Sequence, residues 1–211
     1  MPYQTNAVLQ KIIAQKLVNL AGRQINLCNQ NILDVGSGTG FIAQNLVQTG
    51  AKPSSIFQID RNPEALNYAK QFGNVVNTDF NKPLSFEQKF DVIFSSMALQ
   101  WAENLYKTLT HLQNFLSEGG NIFFAIPLQG SLQEIYDILE ITSFPFPKME
   151  DMMEYAHIIH TQTYVENSYI ALKNIHISNL VLQQNTYITK NKLILLKKVI
   201  TTWNVGFFKL K

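Results

Sequence analysis

The sequence predicts a doubly wound α/β domain with a mostly parallel sheet, and three observations predict it. A short apolar run, Ile32-Leu33-Asp34-Val35, ends in a glycine loop and is followed at once by a helical pattern. Short apolar runs then alternate with amphipathic stretches as far as Pro127. An acid, Asp60, stands at the end of the second run, about twenty residues past the loop. Strands alternating with helices at this spacing bury a parallel sheet between two helical layers.

Each element has its own signal. Val8, Leu9, Ile12, Ile13, Leu17 and Leu20 recur at helical spacing, and Gly22 stops that helix. The first strand is Ile32–Val35, and Phe41 to Val47 reads as a helix. Ser55 to Ile59 is the second strand. Asn62-Pro63 opens a helix through Phe72, with proline in the first turn, where its fixed φ fits. Val75-Val76 and Phe90 to Phe94 are strands, and Asn104 to Leu116 is a helix. Gly119-Gly120 breaks the chain before a fifth strand, Ile122 to Ile126. The pattern then changes. Helices are expected over 132–141 and 150–155, with a loop at 144–147 and a strand at 158–165. Further helices are expected over 169–177 and 193–203.

Composition sets the bounds. The chain has 211 residues, 46% of them hydrophobic and 15% charged, enough for one domain with a proper core. The expected layout is an N-terminal helical segment (1–28), a cofactor-binding core (29–127) and a substrate-side and C-terminal extension (128–211). No apolar run is long enough to span a bilayer, and no signal pattern is seen, so a cytoplasmic protein with no membrane or nucleic-acid partner is expected. Cys28 is the only cysteine and reads as a small buried residue; it excludes an internal disulfide. His157 and His160 could share a helix face, but no acid or cysteine set joins them, so no metal is expected. Net charge is +2 and unevenly spread. Acids dominate from Glu134 to Glu166. After Glu166 only lysines remain: Lys173, Lys190, Lys192, Lys197, Lys198, Lys209 and Lys211. Such asymmetry marks either a surface for an acidic partner or lysine-rich solvated helix faces.

The chemistry sits in Asp34-Val-Gly36-Ser37-Gly38-Thr-Gly40. Glycines let the backbone turn sharply and approach a ligand, and they leave a helix N-terminus open to polar groups. Asp60 stands where an acid binds ribose hydroxyls. The loop reads G-x-G-x-G with an acid two residues before it, not the G-x-G-x-x-G of a dinucleotide site. That form resembles motif I of the Rossmann-like class I methyltransferases. The resemblance implies S-adenosylmethionine as cofactor, with Asp34 near its amino end. It makes Asp79-Phe80 the adenine-binding pair and puts Ser95, after Phe90–Phe94, by the methionine part. Arg61 and Met97 complete the implied cofactor set. Taken singly, Asp79 could equally be a turn acid and Ser95 a strand-end residue.

The resemblance narrows further. Ser95-Ser-Met-Ala-Leu-Gln100-Trp101, Leu128-Gln-Gly130-Ser131-Leu-Gln-Glu134-Ile, Tyr3-Gln-Thr-Asn-Ala7-Val-Leu9-Gln10 and Tyr169-Ile-Ala171-Leu172-Lys173 are similar to segments of the biotin-pathway malonyl carrier-protein methyltransferases. The implied reaction passes a methyl group to the free carboxylate of a malonyl thioester on acyl carrier protein. A carboxylate is ionised at neutral pH and needs no base, but removing its water is costly, so a polar or positive group should receive it. Tyr3, Gln100 and Lys173 are the candidates, though Lys173 could be a surface lysine and Trp101 reads first as a core aromatic. Family members usually carry a further basic stretch ahead of the Tyr3 position and end on an antiparallel strand. Here 205–210 either forms an edge strand or leaves that strand missing. Two other readings remain: an assembly factor that modifies a protein side chain, as in the respiratory complex I arginine hydroxylases, and a non-catalytic binding module.

Overall fold

The structure, a computed structural model, describes residues 7–174 and 190–210. Seven strands form one sheet in the order β3-β2-β1-β4-β5-β7-β6. The first half runs β1 (Ile32–Val35), β2 (Ile56–Asp60), β3 (Asn74–Asn77), β4 (Phe90–Ser96) and β5 (Leu116–Pro127), all parallel. β6 (Ala156–Asn167) and β7 (Ile200–Leu210) follow, with β7 antiparallel to both β5 and β6. The chain reverses its direction of strand addition between β1 and β4, and open sheets of this kind bind ligands at that switch point.

Helices cover both faces. α1 (Val8–Gly22), α2 (Phe41–Gln48), α5 (Gln133–Leu139), α7 (Ser168–Asn174) and α8 (Lys190–Lys198) supply buried apolar residues to one layer. α4 (Leu105–Gln113) and α6 (Met149–Tyr155) supply the other. α3 (Pro63–Ala69) packs on β2 and β3. β1 is buried at every position, as a strand covered on both faces must be. Each fully buried Leu, Ile or Phe contributes about 1.5–3 kcal/mol, so this interior fixes where the strand ends lie.

The expected elements are present through β4, with boundaries shifted by a few residues at most. The Asn62-Pro63 start is a true cap: the Asn62 carboxamide oxygen accepts from the amides of Glu64 (3.0 Å) and Ala65 (3.4 Å). Four expectations are corrected. The helix at 104–116 stops at Gln113, and Leu116 already belongs to β5. Gly119 and Gly120 do not break the chain; they lie inside β5, where Leu116 to Asn121 oppose only Phe90 to Val92. Gly119 takes φ +74° in that irregular stretch. The helix expected over 193–203 ends at Lys198, and Trp203 lies in β7, 2% exposed. The run Ile200-Thr-Thr-Trp is β-branched and aromatic, and Thr201, Trp203 and Val205 alternate inward as a strand requires. Finally, 205–210 is no edge piece: β7 sits between β5 and β6, and β6 forms the edge.

Smaller corrections follow from the same geometry. His157 and His160 lie on β6, not a helix, with an irregularity between Ile158 and His160. Cys28 is only partly buried, with Sγ 3.4 Å from the Thr49 carbonyl oxygen. Lys192 is not unopposed: its Nζ lies 2.8 Å from Glu140 Oε2. No helix among the described residues is long and apolar enough to cross a membrane.

Candidate active site

The glycine loop follows β1 at the carboxyl edge of the sheet. Gly36 and Ser37 both donate their amides to the Ile59 carbonyl, at 2.9 and 3.0 Å, which pins the loop to the end of β2. Gly38 N donates to Asp60 Oδ2 (2.8 Å), and Asn62 N donates to Asp60 Oδ1 (2.8 Å). Asp60 therefore braces the loop with both oxygens. Gly36 has φ +69°, and a Cβ there would lie 2.3 Å from Ala98 Cβ. Gly38 has φ +55° with open space where its Cβ would stand. Gly40 caps α2 at φ +87°, and a Cβ there would press on Gln58 Oε1 and Ala69. No side chain caps α2, so its N-terminus is left to other acceptors.

A cavity of about 520 Å³ opens on this loop, within the usual size of a small-molecule site. Of the implied cofactor residues, Asp34, Gly36, Ser37, Gly38, Asp60, Arg61, Asp79, Phe80 and Met97 line it. Gly40 and Ser95 do not. Gly40 acts behind the loop, at the helix start. Ser95 is fully buried and donates its hydroxyl to the Val35 carbonyl (2.9 Å), tying β4 to β1. Its neighbour Ser96 lines the cavity instead, because adjacent strand residues point to opposite faces. Met97, at φ +54°, turns the chain away from the sheet there. A non-glycine residue in that conformation costs about 1–3 kcal/mol and is common beside ligand sites.

Several buried polar atoms of the lining are unsatisfied. Asp34 is 1% exposed, and neither carboxylate oxygen has a partner. Burial, and then the nearby Asp60 charge, push its carboxyl well above the ordinary range. Ser37 Oγ, Thr39 Oγ1, Ser96 Oγ and Gln10 Oε1 are likewise buried without partners. Asp34, Asp60, Glu64 and Asp79 face Arg61, the only cation of the lining among the described residues. This balance suits a cationic, donor-rich ligand and opposes a pyrophosphate, which would find one positive side chain among four carboxylates. S-adenosylmethionine, with its sulfonium and ammonium, fits the set.

Asp79, the acid that the resemblance puts at the adenine end, sits in a small network. Asp79 Oδ1 accepts from Asn81 N (2.9 Å). Asn81 donates from Nδ2 to the Trp101 carbonyl (3.3 Å) and accepts from Glu103 N (2.9 Å). Trp101 both packs on the apolar core and lines the cavity, so the core reading of this residue was incomplete. Its ring meets Phe144 edge-on, with centroids 5.2 Å apart.

Of the implied acceptor-side residues, only the side chain of Gln100 is among the described ones, and it does not line this cavity. Gln100 lines a neighbouring cavity, and its Nε2 donates to the Met97 carbonyl (2.8 Å). Lys173 lies in α7, its side chain outside the described residues, as is all of Tyr3. Residues that the sequence reading had not assigned, Gln10, Thr39, Ser96 and Phe144, also line the cofactor cavity. Gln10 stood within the N-terminal segment already singled out. Phe144 is brought in by the 140–148 loop, and no local pattern announces it.

The glycine loop, the acid at the end of β2 and the acidic cavity with its unpartnered Asp34 define an S-adenosylmethionine-dependent domain of the Rossmann-like class I type. The methyltransferase domain family matches residues 28–193, and the chain belongs to it. A malonyl-(acyl-carrier protein) O-methyltransferase of Hamiltonella defensa is 30% identical over 136 residues, 63% of this chain and 50% of that one. The enzyme of the same name from Bacillus anthracis is 26% identical over 193 residues, 89% of this chain and 70% of that one. The chain thus spans about half the length of the first of these relatives. Among solved structures, the YcgJ protein of Bacillus subtilis matches 93% of this chain and 98% of its own, with TM-score 0.66 and 9% identity. The plantazolicin methyltransferase BpumL, solved with SAH, matches all of this chain (100%) and 87% of its own, with TM-score 0.59 and 15% identity. At such identities the likeness is one of fold.

Proposed function

We propose that the chain transfers the methyl group of S-adenosylmethionine to the free carboxylate of a malonyl thioester on an acyl carrier protein, an early step toward pimelate and biotin. The observation that carries the cofactor half is Asp34, a buried carboxylate with two unpartnered oxygens in an acidic cavity. The acceptor half is supported by the relatives named for this reaction and by the Gln100-Trp101 and Gln129-Gly130-Ser131-Leu132 segments.

When bound, S-adenosylmethionine supplies an activated methyl group on a positively charged sulfur, which leaves as a neutral thioether. Asp34 would take the ammonium, which removes the cost of its own burial. Asp60 would accept from the ribose hydroxyls with the lone pairs its two amide bonds leave over. Asp79 would accept from the adenine amine, and Phe80 would pack on the ring. The acceptor needs no base, since a carboxylate is already ionised. The work of the chain is to hold oxygen, carbon and sulfur in line and keep water out. Alignment of that kind is worth up to roughly 7–11 kcal/mol. Trp101, Phe144 and Met97 form the apolar side of the cavity that can exclude water.

The test is incubation with S-adenosylmethionine and malonyl carrier protein, followed by intact-protein mass spectrometry. A gain of one methyl group on the acyl chain is expected, as is rescue of a biotin-requiring strain. Methylation of an added protein instead would establish a side-chain methyltransferase. Cofactor binding with no transfer to either acceptor would establish a binding module.

A further inference from the structure

The segment from Met97 to Glu103 divides the cofactor cavity from the second, neighbouring cavity of about 330 Å³. Met97, Ala98 and Trp101 line the first, and Glu103 lines the second. At the near end of the segment, Met97 N donates to the Ala125 carbonyl (2.8 Å), and Ala98 packs on the glycine loop at Gly36. Its middle is bonded to itself: Trp101 N donates to the Ala98 carbonyl and Ala102 N to the Leu99 carbonyl, both at 3.0 Å. At the far end, the side chain of Asn81 brackets Ala102. Asn81 Nδ2 donates to the Trp101 carbonyl (3.3 Å), and Oδ1 accepts from Glu103 N (2.9 Å). A carboxamide carries the same donor and acceptor as a peptide group, so Asn81 serves this segment as a neighbouring strand would. Its own amide is committed too. Asn81 N donates to Asp79 Oδ1 (2.9 Å), and Lys82 N donates to the Asp79 carbonyl (2.9 Å). This turn holds the Asp79 carboxylate in place at the cofactor cavity.

We propose that Asn81 is a positioning residue that ties the wall at Trp101 to the turn that receives adenine. With Asp79 Oδ1 taken by the Asn81 amide, Oδ2 is left for the adenine amine. A cofactor bonded to Asp79 therefore steadies the turn, and Asn81 carries that to Trp101 and Glu103. The acceptor then meets a wall already set to the cofactor it will react with. Asn81 acts through its neighbours rather than as a ligand, since both polar atoms of its side chain are engaged. This role rests on the cofactor half of the function proposed above, not on which acceptor is methylated.

The test follows hydrogen exchange of the Glu103 amide by NMR, with and without S-adenosylhomocysteine. Glu103 does not line the cofactor cavity, so direct contact with the cofactor does not shield it. In the parent, S-adenosylhomocysteine should slow that exchange about tenfold, the order of one hydrogen bond. In Asn81→Ala the amide should exchange faster, and S-adenosylhomocysteine should change its rate less than about twofold. The Lys107 amide, held by Asn104 Oδ1 at 3.0 Å, should exchange alike in both proteins, whereas general loosening would speed it as well. By calorimetry, Asn81→Ala should bind S-adenosylhomocysteine about threefold more weakly, and Asp79→Ala, which loses the ligand itself, about tenfold or more. Asn81→Asp is a second, isosteric variant that turns a carboxylate oxygen on the Trp101 carbonyl. With S-adenosylhomocysteine bound, acrylamide should quench its Trp101 roughly twofold more readily than in the parent, while Trp203, 2% exposed, stays silent. Four results would each overturn the proposal: binding that leaves Glu103 unmoved in the parent, protection that survives in Asn81→Ala, a Lys107 amide that speeds with Glu103, or unaltered Trp101 quenching in Asn81→Asp. A parent that does not bind S-adenosylhomocysteine would overturn the cofactor assignment, and this role with it.

Discussion

Asp34 is costly to the protein that carries it. Its carboxyl is buried, unpartnered and pushed up by burial and Asp60. A carboxyl with a raised folded-state pKa contributes no penalty below its unfolded pKa, about 3.9. Stability is lost as pH rises from there through the folded value. Asp34→Asn should therefore raise the Tm of the cofactor-free protein at neutral pH, with the gain shrinking toward pH 4 in a thermal series. The same variant should bind S-adenosylmethionine roughly 10–100-fold more weakly by calorimetry, the loss of a charged hydrogen bond. The glycines divide in a similar way. Gly36→Ala would drive a Cβ to 2.3 Å from Ala98 and should unfold or strongly destabilise the chain. Gly38→Ala meets nothing, so it should cost only about 1–2 kcal/mol for its φ of +55°, measured by urea denaturation, yet weaken cofactor binding. These residues were legible in the sequence because a loop motif is local. Ser96 and Phe144 were not, since one depends on strand parity at a single position and the other on how a distant loop folds back.

Between elements, the segment after β5 proves to be a clasp. Leu128 N donates to the Asn204 carbonyl and Leu132 N to the Thr202 carbonyl, both at 2.7 Å. Ser131 Oγ accepts from Asn204 N (3.0 Å) and donates to the Leu128 carbonyl (2.8 Å). Glu134 accepts from Thr201 Oγ1, Thr202 N and Thr202 Oγ1. The Gln-Gly-Ser-Leu stretch, prominent as a family resemblance, thus fastens α5 to β7. Burial alone would raise the Glu134 carboxyl, but the bonds from Thr202, its own amide and Thr201 outweigh it and hold it low. A lowered pKa gives stability that is present above the unfolded value, about 4.3, and lost as pH falls through the folded one. Glu134→Gln should be less stable than the parent by about 1–2 kcal/mol at pH 7, and the two acid-denaturation curves should converge below pH 4. Strands β1 to β4 were legible because short apolar runs stand between clear turn signals. The α8–β7 boundary was not, because Leu193 to Trp203 satisfies a helical period and a strand composition at once.

Across the whole molecule, charge is divided between two regions. The acids of 134–166 include Asp151 at the second cavity, while Lys197 and Lys198 stand exposed at the end of α8. Lys197 also lies over the Tyr169 ring, 5.1 Å from its centroid. An acidic carrier protein would be steered to the lysine side and repelled from the other. Lys197→Glu/Lys198→Glu should then slow turnover of malonyl carrier protein at low salt and leave S-adenosylmethionine affinity unchanged. Equal turnover at low salt would remove the lysines from the docking surface. The asymmetry was plain in the sequence, but its pairing was not: Lys192 already answers to Glu140 across 52 positions.

The insertion of β7 between β5 and β6 also governs how the chain reaches this state. Phe123 pairs with Lys209, so the seam beside β5 closes only when segments 86 positions apart meet. Pairings of such long range are slow to form. Until they do, β6 and β7 can pair only with each other, and the Ile122–Ile126 edge of β5 lies open with every side chain apolar. An open apolar edge is a template for another chain. Refolding from denaturant is thus a race between closure of that seam and aggregation, and dilution favours closure, because only aggregation depends on concentration.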